Sequence, residues 1–146
     1  MLVEDLVARL AGSVAALAGR VAGAAELSEL VRQKALPQAS PYAFVLPLGL
    51  IARSEGDAMA GAFVQGVDEM FAVVLFVRAT GDVTGARALP TIDELVWAAI
   101  EAVCGWGPDA AIGVFRLARG QLLSAEAGAV IYQLDFAIQT QVRIIG

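Results

Sequence analysis

The chain has 146 residues, 58% of them hydrophobic, and a formal net charge of −5. This length fits one domain with a substantial core. Histidine is absent and Cys104 is the only cysteine, which excludes histidine catalysis, histidine metal sites, disulfides within the chain and thiolate metal clusters. Catalysis by lysine or carboxylate side chains stays open in principle, but no residue pattern in the sequence indicates it. We therefore predict that the protein is not an enzyme and binds no metal or cofactor.

The negative charge is concentrated in the middle of the chain, where residues 54–112 hold nine acids and two bases. No basic stripe is present, so we expect no direct nucleic-acid recognition. The longest apolar run, Met70 to Val77, is far below the ~20 residues of a membrane-spanning helix. Glu4 and Asp5 stand where a secretory signal carries positive charge. We expect no membrane span and synthesis in a cytoplasm.

The first third of the chain predicts two helices and a strand. Apolar residues at helical spacing run from Val3 to Leu17, and a shorter amphipathic stretch covers residues 26–33, with a short strand expected near Val21 between them. Residues 42–51 have strand composition, but Pro47 cannot donate to a ladder. This strand is therefore expected at an edge or a bulge.

The middle of the chain predicts one long bent strand and a capped helix. The strand runs over residues 63–77, with a bulge at Gly66 and a second half that is apolar on both faces. The next helix is expected to begin at a capping box formed by Thr91 and Glu94. Gly105 is suited to end it.

Residues 114–124 and 130–144 flank a tight turn and predict a terminal antiparallel hairpin. In the last strand the apolar residues share one parity and are expected in the core. The polar parity is either solvated or in contact with another subunit. Together the elements predict a single compact α+β domain over residues 1–146, with a mostly antiparallel sheet flanked by α-helices.

Two tryptophans and a pair of adjacent acids are candidate functional residues. Trp97 lies off the apolar stripe of its helix, beside Glu94 and Glu101. It is either an exposed contact residue or a side chain covered by a loop, and the sequence leaves both open. Trp106 is expected to pack under a loop. The adjacent Asp68 and Glu69 are interpreted as surface carboxylates.

Several segments resemble the tail terminator proteins of long-tailed bacteriophages and of phage-derived gene transfer agents, and the resemblance spans nearly the whole chain. It rests on "AFVLPLG" at residues 43–49, "QGVDEMFAVVLFV" at 65–77, the "GW" pair at 105–106, and Tyr132 with Phe136 in a Y-x-x-x-F pattern.

The resemblance implies a hexameric ring that caps the finished tail tube, stops its polymerisation and provides the surface for joining to the head connector. Its partners would be further copies of this chain, the major tail tube protein and the head-closure or connector protein. It would be made in the bacterial cytoplasm and located at the head-proximal end of the tail in the virion. Two alternatives stay open: another neck component, such as a head-closure or tail-completion protein, and a small dimeric ligand-binding or enzyme-subunit protein.

A closed ring needs a heterologous interface, in which two different faces of each subunit meet. The acidic middle and the slightly basic ends of the chain are candidates for these two complementary faces. We expect contacts with the tube or the connector through the loops at residues 53–62 and 79–89 and the polar side of the last hairpin. The candidate interface residues are Arg53, Asp57, Asp82, Arg87, Trp97, Arg116, Gln133, Asp135, Gln139 and Arg143.

Overall fold

The structure of the protein is a computed structural model that describes residues 2–59, 61–79, 86–109, 111–125 and 128–145. The order of helices and strands, with runs of three and of two successive strands, is typical of α+β proteins. In chain order they are α1 (Leu2–Ser13), a 3-10 helix (Ala15–Leu17), β1 (Val21–Ala22), α2 (Ala24–Gln33), β2 (Tyr42–Ala52), β3 (Asp57–Met59), β4 (Ala62–Arg78), α3 (Leu89–Val103), β5 (Phe115–Ser124) and β6 (Ala129–Ile145).

The strands form one sheet in the order β1-β2-β4-β6-β5, with β3 paired to β4. β1 runs parallel to β2, and the other neighbouring strands are antiparallel. β4 and β6 pair from Ala62 opposite Ile145 to Arg78 opposite Ala129 without an irregularity. Because side chains alternate along a strand, this unbroken register fixes the face on which each of their residues lies. The predicted fold class is confirmed.

Helices α1 and α3 cover one side of the sheet, which we call the helix face. Leu6 and Leu10 of α1 and Leu95 and Ala99 of α3 are buried there at 0 to 4% exposure. Burying a side chain of this size contributes about 1.5 to 3 kcal/mol. The helix face therefore holds the core, whose sheet members are Ala43, Val45, Phe71, Val73, Leu75, Val77, Phe115, Val130, Leu134, Phe136 and Ile138.

The opposite side of the sheet, which we call the open face, is covered mainly near β2. There Phe44, which alternates with the core residues Ala43 and Val45, is 2% exposed, and residues of α2 line a cavity with it. No residue of α2 is itself buried. The part of the open face formed by β6 and β5 is the part that the site below occupies.

The long strands extend past the helices. β4 has 17 residues and α3 has 15, which correspond to about 56 Å of strand and about 22 Å of helix. Residues 62–66 pair with 141–145 beyond Ile138, the last core residue of β6, and the end of β2 at residues 48–52 lies next to them, opposite residues 67–70. We call this end of the sheet, formed by the three segments, the arm. Its most exposed apolar side chains are Leu48, Leu50, Ile51, Ile144 and Ile145.

The two β-bulge predictions had opposite outcomes. The register of β2 against β4 shifts between Pro47 and Gly49, and Gly49 has a φ of 125°, so the prediction of a bulge near Pro47 is confirmed. The prediction of a bulge at Gly66 is wrong, because Gly66 pairs with Gln141 inside the unbroken register. The two strands there have equal numbers of residues, and a bulge requires one more on one side.

The predicted capping box of the third helix is also wrong. α3 begins at Leu89 after Ala88, whose side chain makes no capping hydrogen bond, and Thr91 lies inside the first turn. Pro90 fits this turn because the first N–H groups of a helix need no partner within it. The predicted end is confirmed, since Gly105 follows the helix with a φ of 80°. Among the described residues, none of the helices combines the length and the apolar run needed to cross a bilayer.

Candidate functional site

A buried carboxylate on the open face is paired with two arginines, one from β5 and one from the segment after β2. Asp68 of β4 is 7% exposed. Arg116 of β5 donates from Nη2 to its Oδ2 at 2.6 Å and from Nη1 to its Oδ1 at 3.3 Å. Arg53, just after β2, has its Nε 3.8 Å from Oδ1. One carboxylate thus links β4 to the edge strand β5 and to the end of β2.

The hydrogen bonds from Arg116 lower the pKa of Asp68, with a smaller lowering from the charges of Arg116 and Arg53 and an opposing effect of burial. The same hydrogen bonds raise the pKa of Arg116. This bidentate geometry is among the stronger polar interactions in proteins. The interpretation of Asp68 as a surface carboxylate is wrong: Arg116 reaches across β6 and covers it, and this contact between distant strands has no local sequence signal.

The polar parity of β6 lies on the open face beside this cluster. Gln133 donates from Nε2 to Oδ1 of Asp135 at 2.8 Å, and both side chains are half-buried. Gln139, opposite Asp68 in the register, is exposed, as is Arg143 further along. The structure therefore brings four of the predicted interface residues onto the same surface as Arg53 and Arg116. Their role in contacts with other proteins stays a prediction.

Trp97 is exposed on the outer side of α3. Its side chain is 57% accessible, which decides between the two interpretations that the sequence left open. Asp93, Glu94 and Glu101 are exposed on the same helix at the one-turn spacings that bring side chains together. An exposed indole among three carboxylates is a surface suited to a cationic partner.

The prediction that Trp106 packs is confirmed, although its partners are β5 and α1 and not a loop. It stacks on Phe115 at a centroid distance of 5.7 Å. Arg9 of α1 lies over its other side at 5.1 Å and donates from Nε to the carbonyl of Ala102 at 2.7 Å. Trp106 is therefore part of the junction between α1, α3 and β5.

The remaining predicted residues lie in connections between the elements. Asp57 opens the short strand β3, so the segment 53–62 is not the continuous loop that the sequence predicted. Arg87 is exposed just before α3. Asp82 lies outside the described residues, as does most of the segment 79–89.

Sequence reasoning missed three features of the surface. Arg119 lies on the open face, because the register shift between Leu117 and Arg119 puts it on the same side as Arg116. A cavity of about 550 Å³ lies between α2 and the sheet, lined by Pro37, Tyr42 and Phe44 among others. The apolar arm is the third. The alternation of residues carries no signal for a bulge in β5, and the cavity depends on how α2 is placed.

The ionisable groups in these features do not form a metal site. Within the described part of the chain, no group of three or more histidine, cysteine, aspartate or glutamate side chains is placed to hold a metal ion. The two glutamates that line the cavity have partners: Glu26 accepts from the N–H of Gly23 at 3.1 Å, and Glu29 is paired with Arg32. The distinctive chemistry of the molecule lies in its charged and apolar surfaces.

The sequence places the chain in a class of structural proteins of phage tails. The sequence model of the phage tail terminator protein family matches residues 1–146, the whole chain, and the chain belongs to that family. A search of curated proteins finds no match. Membership confirms the resemblance and implies a structural role in the tail, contacts with other tail and head proteins, and a place in the virion.

Proposed function

We propose that six copies of the protein form a closed ring at the head-proximal end of the tail. The ring caps the finished tube, stops polymerisation of the major tail protein and offers its other side to the head connector. The observation that carries this proposal is the match to the tail terminator family over all 146 residues. The surfaces of the molecule supply the physical support.

A ring subunit that joins two structures needs several distinct contact surfaces. Two different faces meet the neighbouring subunits in a heterologous ring, and further surfaces must meet the tube and the connector. The chain has three surfaces of different chemistry: the open face with its arginines, the acidic outer side of α3, and the apolar arm. This number fits a subunit with neighbours on several sides.

The arm is the surface that we assign to the tube or the connector. Ile144 is 59% exposed and Ile145 is 74% exposed, at the end of β6 beyond its last core residue, Ile138. Soluble proteins rarely leave neighbouring apolar side chains uncovered unless they contact a partner. The open face and the outer side of α3, which are polar, are better suited to contacts that fix orientation.

Deletion of the gene tests this proposal. Negative-stain microscopy of particles from the deletion strain is expected to show tubes longer than normal, because nothing ends polymerisation. Expression of the wild-type protein in the same strain restores the normal length and serves as the control. A head-closure protein would instead leave tails of normal length and heads that lose their DNA. Tails of normal length in the deletion strain contradict the proposed capping function.

A further inference from the structure

We propose that neighbouring copies in the ring meet through the outer side of α3 on one copy and the arginines of the open face on the next. This inference rests on the proposed ring and names the two surfaces that close it. The first surface, which we call the acidic helix side, consists of Asp93, Glu94, Trp97 and Glu101. The second, which we call the arginine cluster, consists of Arg53, Arg116 and Arg119.

The acidic helix side is a surface without a partner in the subunit. Asp93, Glu94 and Glu101 are exposed, and none of their side chains forms an ion pair or hydrogen bond with any residue that the structure describes. They lie within about one turn of Trp97, whose side chain is 57% accessible. α3 carries no lysine or arginine, so nothing on the helix offsets these charges. An exposed tryptophan at the centre of such a surface is typical of interface hot spots.

The arginine cluster presents the opposite charge. The side chains of Arg53 and Arg116 remain 43% and 51% exposed although both approach Asp68. Arg119 is exposed and has no ion pair among the described residues. Asp68 is mostly covered, and Asp135, opposite Arg119 in the register, is half-buried, so the three guanidinium groups outnumber the carboxylates beside them.

The two surfaces have charged groups at similar spacings and of opposite sign. Glu94 and Glu101 are seven residues apart on the helix, about 11 Å. Arg116 and Arg119 pair with β6 residues two apart in the register, a separation of about 7 Å along the strand, and their long side chains extend this reach. A guanidinium placed over the indole of Trp97 gains a cation–π contact, and the flanking carboxylates pair with its neighbours.

The positions of the two surfaces suit a ring. The buried residues of α3 face the helix face of the sheet, so the acidic helix side points away from it, whereas the arginine cluster lies on the open face. Each copy therefore presents a negative surface on one side and a positive surface on the other. Such a subunit associates head to tail, and a head-to-tail contact closes into a ring when the rotation per subunit permits.

A pair of charge-reversed variants tests the contact. The first variant carries Glu94→Arg and Glu101→Arg, which leaves both surfaces positive. The second carries Arg119→Glu and Gln121→Glu. Together with Asp68 and Asp135, the two new glutamates outnumber Arg53 and Arg116, so both surfaces of this variant are negative. Gln121 is chosen because it lies opposite Gln133 on the same face as Arg119, and because changing it leaves the ion pair of Asp68 intact.

In a mixture of the two variants, every contact between unlike copies joins a positive surface to a negative one. A ring of six closes in strict alternation because six is even. The assay is complementation of the deletion strain by each variant alone and by both expressed together, with normal-length tails and infectious particles counted. The count of particles depends on the contact between neighbouring copies, whether the ring forms before it meets the tube or only on the tube.

We expect each variant alone to yield about 100-fold fewer infectious particles than the wild type, since like charges at every contact weaken association by at least that factor. Co-expression is expected to restore the yield to within about tenfold of the wild type. Lys34→Glu, a charge reversal at an exposed residue of the α2 end, is the control that leaves the yield unchanged. Circular dichroism of each purified variant checks that it is folded.

Two results overturn the inference. One is a normal yield from either folded variant alone. The other is a failure of co-expression to restore the yield when both variants are folded, which would mean that these surfaces contact the tube or the connector instead. If a reversed variant is unfolded, the neutral variants Glu94→Gln with Glu101→Gln, and Arg119→Gln, replace it, and each must reduce the yield. Normal tail length in the deletion strain would refute the proposed function itself, which separates that failure from this one.

Discussion

The ion pair between Asp68 and Arg116 offers the sharpest test of how the open face is held together. Asp68→Asn keeps the shape of the side chain and removes its charge. The variant keeps a hydrogen-bond acceptor for one nitrogen of Arg116 but loses the two charge-assisted hydrogen bonds at 2.6 and 3.3 Å. Arg116→Gln removes the same contact from the other side. The double variant completes a thermodynamic cycle.

The expected loss follows from the geometry. A hydrogen bond to a charged group contributes about 1.5 to 3 kcal/mol. Half of the Arg116 side chain is exposed, and solvent screening reduces the contribution of such a pair. We therefore expect each single change to lower the free energy of unfolding by about 1 to 2 kcal/mol. The coupling energy of the cycle is expected at about 1 kcal/mol.

The lowered pKa of Asp68 predicts the direction in which the stabilisation by this ion pair changes with pH. The pKa of Asp68 in the folded protein is lowered from its ordinary value of 3.8. Its contribution to stability is therefore complete above about 3.8 and is lost as the pH falls from there through the lowered pKa of the folded state. Above that range the wild type is more stable than Asp68→Asn, and the difference shrinks as Asp68 becomes protonated.

Urea denaturation followed by tryptophan fluorescence measures these quantities at neutral pH and at about pH 3. The reasoning is refuted if the coupling energy at neutral pH is below about 0.3 kcal/mol, the range in which independent sites add. It is also refuted if wild type and Asp68→Asn lose stability in parallel as the pH falls.

Three further changes probe the core, a close backbone approach and the acidic helix side. Phe115→Ala empties a side chain that is 1% exposed, and urea denaturation is expected to show a loss of about 3 to 5 kcal/mol; a loss under about 1 kcal/mol would contradict the packing described. Gly107→Ala would press a Cβ against the carbonyl oxygen of Gly113 and is expected to lower the free energy of unfolding by about 1 to 3 kcal/mol. The control Gly12→Ala has open space around its Cβ, and thermal denaturation is expected to show an unchanged or higher stability. Trp97→Ala is expected to change unfolding free energy by less than about 0.5 kcal/mol while reducing the yield of normal-length tails, and unchanged tails would remove Trp97 from the contact.

The parts of the fold that the sequence predicted well are those where one local pattern decides the structure. The strict alternation of β6 placed Leu134 and Phe136 in the core, where they are 1% and 0% exposed. The doubly apolar second half of β4 indicated a central strand, and its residues from Phe71 to Val77 are buried or nearly so. Burial of one sheet face makes every second residue apolar, as in β6, and burial of both faces makes successive residues apolar, as in β4.

The parts that the sequence missed depend on contacts between distant segments. The capping signal of Thr91 and Glu94 predicts a start of α3 that is too late, because the helix begins at Leu89 and Pro90 stands in its first turn. Arg119 was not recognised because a bulge in β5 changes the face on which it lies. The burial of Asp68 depends on Arg116, 48 residues away in the chain. Alternation predicts faces only where the register is regular, and bulges and long-range ion pairs are set by tertiary structure.

The central claim is that the protein ends tail-tube growth, and polymerisation of the major tail protein encoded in the same genome tests it most directly. Purified protein is added to growing tubes at a fixed concentration of tube subunits, and tube lengths are measured by electron microscopy over time. We predict that tubes stop growing when the wild-type protein is added and continue when the Glu94→Arg and Glu101→Arg variant is added. Tubes that grow at the same rate with and without the wild-type protein would contradict the account.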